Sequence, residues 1–212
     1  MLLRLGLETQ QHHAVADSDR IALMDVASPR DYRLQLARIF GFEVPVEAAL
    51  APWLDSAIVR ERAKAHWLRR DLTLLGLTSD DLDRAPQCSV RITSVTQALG
   101  WLWVLERHTL VSGLIRRQLV HRFGAELPAS YLAAYADGPG ARFRSLCEEI
   151  DLHASQQASN PTLLVGAASE AFRHQRQWYL NAPLERDTRG HVQRGDCVGT
   201  TERRALTAPL SE

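Results

Sequence analysis

The sequence predicts an all-α protein, and three observations carry that expectation. The stretch Ser94 to Gly124 has no proline and places Val95, Leu99, Leu102, Leu105/Glu106, Thr109 and Gly113 at helical spacing. No segment alternates apolar and polar residues for long enough to make a strand. Helix start signals recur, as in Ser28-Pro29-Arg30-Asp31 and Asn160-Pro161, where a capping side chain precedes a proline at the first helical position. Leu, Ile and Val continue around the cylinder of 94–124, so this is the central helix, buried on more than one side. Its few polar residues, Glu106, Arg107, His108 and Ser112, are the first place to look for function.

The other elements follow in order. Residues 2–17 read as a first helix, with Leu3, Leu7 and Val15 on one side and Asp17-Ser18-Asp19 closing it. The run from Ser28 reads as a helix that Pro45 kinks or ends. Glu61 to Leu75 turns Trp67, Leu68 and Leu72 inward and stops at Gly76. Thr78 to Pro86 is an acidic loop or short turn, Pro128 to Ala136 a short helix, and the DGPG of 137–140 a break. Helices over Ala141–Gln157 and Pro161–Leu180 complete one helical domain, 1–182. Residues 183–212 lose the large apolar side chains and read as a polar, poorly ordered tail.

Composition narrows the function classes. Lys+Arg and Asp+Glu are both 25 in 212 residues, so no net charge draws a polyanion and nucleic-acid binding is disfavoured. Cys88, Cys147 and Cys197 make no CxxC pair, which fits free thiols in a reducing compartment. The opening MLLRLGLETQQHH is too short in its apolar part for a signal peptide, and no apolar run is long enough for a membrane span. The expectation is a soluble cytoplasmic protein with no membrane partner.

Eight histidines invite a metal reading. No HExxH occurs, and Glu170…His174, Glu149…His153 and Glu8…His12 stand at i, i+4 instead of the i, i+3 of carboxylate-bridged di-iron bundles. His12-His13 differs in kind. Adjacent helical residues point about 100° apart, so only one of the two lies on the inward face. A neutral imidazole there suits either a satisfied core residue or an axial ligand to heme iron.

TQQHHAVAD, DYRLQLARIFGFEVPVEAAL, RAKAHWLRRDLTLLGL and ALGWLWVLERHTLVSGLIRRQL together resemble a biliverdin-producing heme oxygenase, most of all the bacterial branch found with bacteriophytochromes. The resemblance spans about residues 3–180 and implies a single-domain, heme oxygenase-like multi-helical bundle. The family pattern of Thr, axial His and acid at four-residue steps falls on Thr9, His13 and Asp17, so the resemblance implies His13 as the iron ligand and His12 as its neighbour. Arg4, Arg173 and Arg176 are the implied partners of the heme propionates. The family's distal helix carries a glycine-rich run after VLE. Here it reads Arg107-His108-Thr109-Leu110-Val111-Ser112-Gly113, with Arg107, Val111 and Ser112 where glycines are usual.

Glycine there permits close approach and bending. Arg107 and Val111, one turn apart, are expected to project into the same distal space, and His108 to come within reach of the sixth iron position; the alternative is a small rotation of the helix that turns Arg107 and His108 to solvent or to a carboxylate. Two functions are therefore expected. One is a heme oxygenase that cleaves heme to biliverdin, CO and Fe2+, using O2 and an external electron donor such as ferredoxin or a reductase, with a bacteriophytochrome as biliverdin acceptor. In it Arg107, His108, Val111 and Ser112 line the catalytic side. The other is a non-catalytic heme- or tetrapyrrole-binding carrier or sensor on the same fold. A thiaminase-like use of the fold, with Cys147 as nucleophile, is a remoter expectation.

Overall fold

A computed structural model describes residues 1–135, 138–156 and 160–182; the expected tail from 183 onward lies outside the described residues. Among those residues the protein is all-α, with no strand. No described helix is long and apolar enough to cross a membrane.

The first expected helix is two: α1 (Leu2–Glu8) and α2 (Gln10–Ile21), separated at Thr9. The Thr9 hydroxyl donates to the Leu5 carbonyl, a local bond that competes with continuous helix. Asp17 and Asp19 do not close α2, which runs on through them. The next helix, α3 (Pro29–Leu50), passes through Pro45 unbroken. Proline cannot donate to the carbonyl four residues back, which belongs to Gly41. The Cys88 N–H donates to that carbonyl at 2.8 Å instead, so nothing is left unpaired and the helix continues.

Two helices occupy the next stretch, α4 (Ser56–Arg62) and α5 (Ala65–Leu74), with Ala63 and Lys64 between them. Gly76, at φ +95°, ends α5 as expected: its N–H and that of Leu77 reach back to the Thr73 and Leu72 carbonyls. The acidic turn that follows is a short helix, α6 (Ser79–Asp83), closed by a reciprocal Thr78–Asp81 cap.

The central stretch is the main departure from expectation. It divides into α7 (Val95–Arg107), a 3-10 turn at His108–Val111, and α8 (Ser112–Phe123). Two hydroxyls tighten the junction. Thr109 donates to the Glu106 carbonyl at 2.6 Å and Ser112 to the His108 carbonyl at 3.3 Å. The neighbours change at the same place. Residues of α7 join an apolar cluster with Phe42, Val46, Ile150 and Phe172. Ile115 and Leu119 of α8 join a second one with Leu36, Ile39, Leu68 and Leu72. Helix α3 contributes to both.

The last helices are α9 (Pro139–Ser155) and α10 (Pro161–Asn181), the latter capped by Asn160, whose side chain accepts from the Thr162 and Leu163 N–H groups. Among the described residues between α8 and α9 only Tyr131–Ala133 forms a 3-10 turn, shorter than the helix expected there, while Ala136, and Asp137 of the DGPG break, lie outside the described residues. Helix α10 lies along α7, and Gly100 sets their spacing: a Cβ there would stand 2.7 Å from the Leu164 carbonyl oxygen and 2.9 Å from the Ala167 Cβ. Gly100→Ala is expected to destabilise the protein by about 1–2 kcal/mol, because backbone must move to admit one methyl. Urea unfolding measures this, and an unchanged midpoint would show that the two helices re-space freely.

Candidate functional site

The i, i+4 pattern Thr9, His13, Asp17 lies on one side of the α1–α2 segment, facing α7 and α10. Thr9 is fully buried, and its hydroxyl oxygen meets His13 Nε2 at 2.9 Å. The single hydroxyl proton is donated to the Leu5 carbonyl at 2.7 Å, so the oxygen acts as acceptor and His13 Nε2 carries the N–H. His13 packs against the rings of Trp103 and Phe172, each 5.6 Å away between centroids. His12 stacks on Phe172 at 5.6 Å and 23°, and its buried Nε2 has no partner among the described residues. Burial lowers the pKa of both imidazoles, helped by Arg173 beside His12 and by Arg107 beside His13. Both are held toward the neutral form that ligates metal.

The residues expected on the distal side divide. Arg107 forms a two-pronged ion pair with Asp17, at 2.6 and 2.9 Å. His108 is buried; its Nδ1 accepts from the Gln175 amide at 3.3 Å, leaving Nε2 without a partner, and its ring stands edge-on to Phe172 at 6.4 Å. Burial, then Arg20, Arg107 and Lys64, hold its pKa well below the ordinary value. Val111 packs on the second apolar cluster. Arg107 and Val111 therefore do not share one space: the 3-10 turn rotates them apart. Ser112 lies on neither side and lines a separate cavity.

The arginines expected at the propionates are dispersed. Arg4 pairs with Glu8 and donates to Thr162 at 3.1 Å. Arg176 stands 4.0 Å from Asp19, and Arg173 is exposed on α10 beside His12. Cys147 is half-buried, and burial together with Asp151 raises its thiol pKa, which disfavours a thiolate at neutral pH.

A heme needs one neutral imidazole, and the seam between α2, α7 and α10 holds three, two of them with buried Nε2 atoms left unpartnered. The donor set fits. The seam itself is closed, because Arg107 and Asp17 are joined across it and His13 Nε2 is engaged by Thr9. Among the described residues no group of three or more His, Cys, Asp or Glu is placed to hold a metal ion.

Sequence reasoning missed a buried ionic network beside this seam. Arg20 of α2, Glu43 of α3 and Tyr131 form one cluster: Arg20 donates to Tyr131 and to Glu43, and Tyr131 donates to Glu43. Lys64, Glu106 and Tyr135 form another, with Lys64 Nζ and the Tyr135 hydroxyl both 3.0 Å from Glu106 Oε1. Tyr131 and Tyr135 are one turn apart. Asp71 pins their segment by accepting the Ser130 and Tyr131 N–H groups at 2.9 and 2.8 Å. Burial works against both cations, yet Glu106 and Glu43 hold the Lys64 pKa above its ordinary value, and Tyr131, Tyr179 and Glu43 do the same for Arg20.

Glu47, one turn after Glu43, accepts the Lys64 N–H at 2.7 Å, and burial raises its pKa from 4.5 to about 7. The folded protein thus holds a proton on Glu47 that the unfolded chain has released. This contribution to stability is present below pH 4.5 and is lost as pH rises toward 7. The three depressed histidines act in the opposite sense, since the unfolded chain takes up protons below pH 6.5 that the folded one refuses. Comparison with Glu47→Gln separates the two effects. The variant is expected to gain stability relative to the parent as pH rises from 4.5 to 7, and a constant difference across that range would refute the assignment.

No protein-family model, no curated protein and no solved structure matches this chain.

Proposed function

We propose that this protein binds heme, or a related tetrapyrrole, along the seam between α2, α7 and α10, as a carrier or sensor. The observation that carries the reading is the set of neutral imidazoles, His12, His13 and His108, gathered around Phe172 where the central helix changes to a 3-10 turn. The resemblance of residues 3–180 to heme oxygenases points the same way. His13 is the proposed iron ligand, with Thr9 fixing its ring. Arg173, exposed on α10 beside His12, is the cation nearest to hand for a propionate, and Arg176 would have to leave Asp19 to serve as a second. Arg107 and Asp17 hold the seam shut until ligand enters.

Binding is favoured over turnover because Arg107 and His108 occupy the side on which an oxygenase needs a small hydrated space. Heme oxygenase activity is the second reading, and one observation favours it: the turn at 108–111 supplies without glycine the bend that the family obtains from glycine. In that reading bound heme supplies the iron centre and the ring that is opened, O2 and an external donor such as ferredoxin or a reductase supply oxidant and electrons, and a bacteriophytochrome is a fitting acceptor of biliverdin.

Titration of the purified chain with ferric heme, followed by reductant and O2, tests both. A stoichiometric Soret band that persists is the expected result. Its decay into a biliverdin spectrum would establish the oxygenase, and the lack of any band would refute both readings. His13→Ala is expected to lose the ferric-heme spectrum and His12→Ala to keep it. The reverse pattern would move the ligand to His12, whose Nε2 is already free of hydrogen bonds.

A further inference from the structure

The cavity that Ser112 lines is not part of the seam. It measures about 300 Å³, and none of His12, His13 and Asp17 borders it. This is the lower end of the range for small-molecule sites, roughly 300–1,000 Å³, and too little for a tetrapyrrole. Its polar wall consists of Lys64, Thr109, Ser112, Tyr131, Tyr135 and Arg117, and its apolar wall of leucines and Pro139. All but Arg117 of the polar residues are nine-tenths buried or more.

The charges that the described residues bring to this wall have one sign. Lys64 and Arg117 border the cavity, and no described carboxylate does. Lys64 donates to Glu106 at 3.0 Å and to the Arg62 carbonyl at 3.3 Å, which leaves one of its three N–H groups unspent in a buried position. Arg117 makes no ion pair among the described residues. Tyr135 lies between two cations, with Lys64 Nζ 5.5 Å and the Arg142 guanidinium 4.7 Å from its ring centre. The hydroxyl protons of Thr109 and Ser112 are donated to backbone carbonyls, so these oxygens offer lone pairs to a ligand.

From this geometry we infer that the cavity is a binding site for a small organic acid: an anionic group held between Lys64 and Arg117, an apolar body against the leucines, and a hydrogen-bond donor toward Thr109 and Ser112. The site is separate from the tetrapyrrole seam and does not depend on it. Gly113 borders it. A Cβ at 113 would meet nothing closer than Arg117 Nη1 at 3.8 Å, so a larger side chain there is compatible with α8 and would stand against Arg117 at the cavity wall.

Calorimetric titration of the full chain with 4-hydroxybenzoate and with phenyl phosphate tests the inference, with 4-hydroxybenzamide as the uncharged control. One acid or both are expected to bind saturably, one per chain, with the amide at least tenfold weaker. Arg117→Ala is expected to weaken binding about tenfold. Gly113→Leu is expected to abolish it with an unchanged circular dichroism spectrum and unchanged heme titration. The inference is overturned if neither acid binds saturably, if the amide binds as well as the acid, or if binding survives Gly113→Leu.

Discussion

Replacing Lys64 by Ala is expected to cost about 3–5 kcal/mol of folding stability, the range for leaving one member of a buried ion pair without its partner. Lys64 and Glu106 are both almost wholly inaccessible, 1 % and 0 % exposed. With Lys64 gone, Glu106 would keep only the Tyr135 hydroxyl on Oε1, and Oε2 is already unpartnered among the described residues. The pair is costly to break without being a large net stabiliser, because desolvation of two charges offsets their attraction. The double variant Lys64→Met with Glu106→Leu is therefore expected to recover most of the loss. Urea unfolding with unchanged m reads both effects. A loss under 1 kcal/mol in the single variant would mean that Glu106 is neutral or reached by water.

Lysine also matters here by shape. It is the single lysine among 25 Lys and Arg residues, so arginine is this chain's usual cation. Position 64 lies in the two-residue break between α4 and α5, with Nζ held between Glu106 and the Arg62 carbonyl. A compact ammonium suits that enclosure, whereas a planar guanidinium needs five donors satisfied in a fixed fork. Composition alone gives no reason to single out this lysine; its position does.

What was legible in the sequence was local. Caps at Ser28 and Asn160, the stop at Gly76 and the i, i+4 set Thr9, His13 and Asp17 each depend on residues within one or two turns, and the structure keeps them. What was missed depends on partners far away along the chain. Arg107 finds Asp17 across 90 residues, and Tyr131 finds Glu43 across 88. The break of the central helix follows from α7 and α8 joining different apolar clusters, which no window of the sequence contains. Glu43 did leave a trace, since it stands among Phe40, Phe42 and Val46, where a solvated carboxylate has no place. Arg20, in a polar helix of its own, left none.

If heme enters the seam as proposed, the Arg107–Asp17 pair must part, and Arg107→Ala is expected to tighten ferric heme binding by ten- to a hundredfold. The two-pronged geometry at 2.6 and 2.9 Å, with both side chains partly shielded, makes this pair stronger than an ordinary surface bridge. A ligand that must separate α2 from the 108–111 turn has that interaction subtracted from its affinity, and about 1.4 kcal/mol corresponds to each tenfold. Asp17→Asn is expected to act in the same direction, because it removes the same bond from the other side. Val111→Gly is not expected to help: Val111 packs on the second apolar cluster, so its loss weakens the fold instead of clearing the seam. Heme titrations of the parent, Arg107→Ala and Asp17→Asn distinguish two roles for the arginine. Tighter binding in both variants identifies a clasp that the ligand displaces. Weaker binding in Arg107→Ala with tighter binding in Asp17→Asn would identify Arg107 as an anchor for a propionate, released from Asp17 to do so.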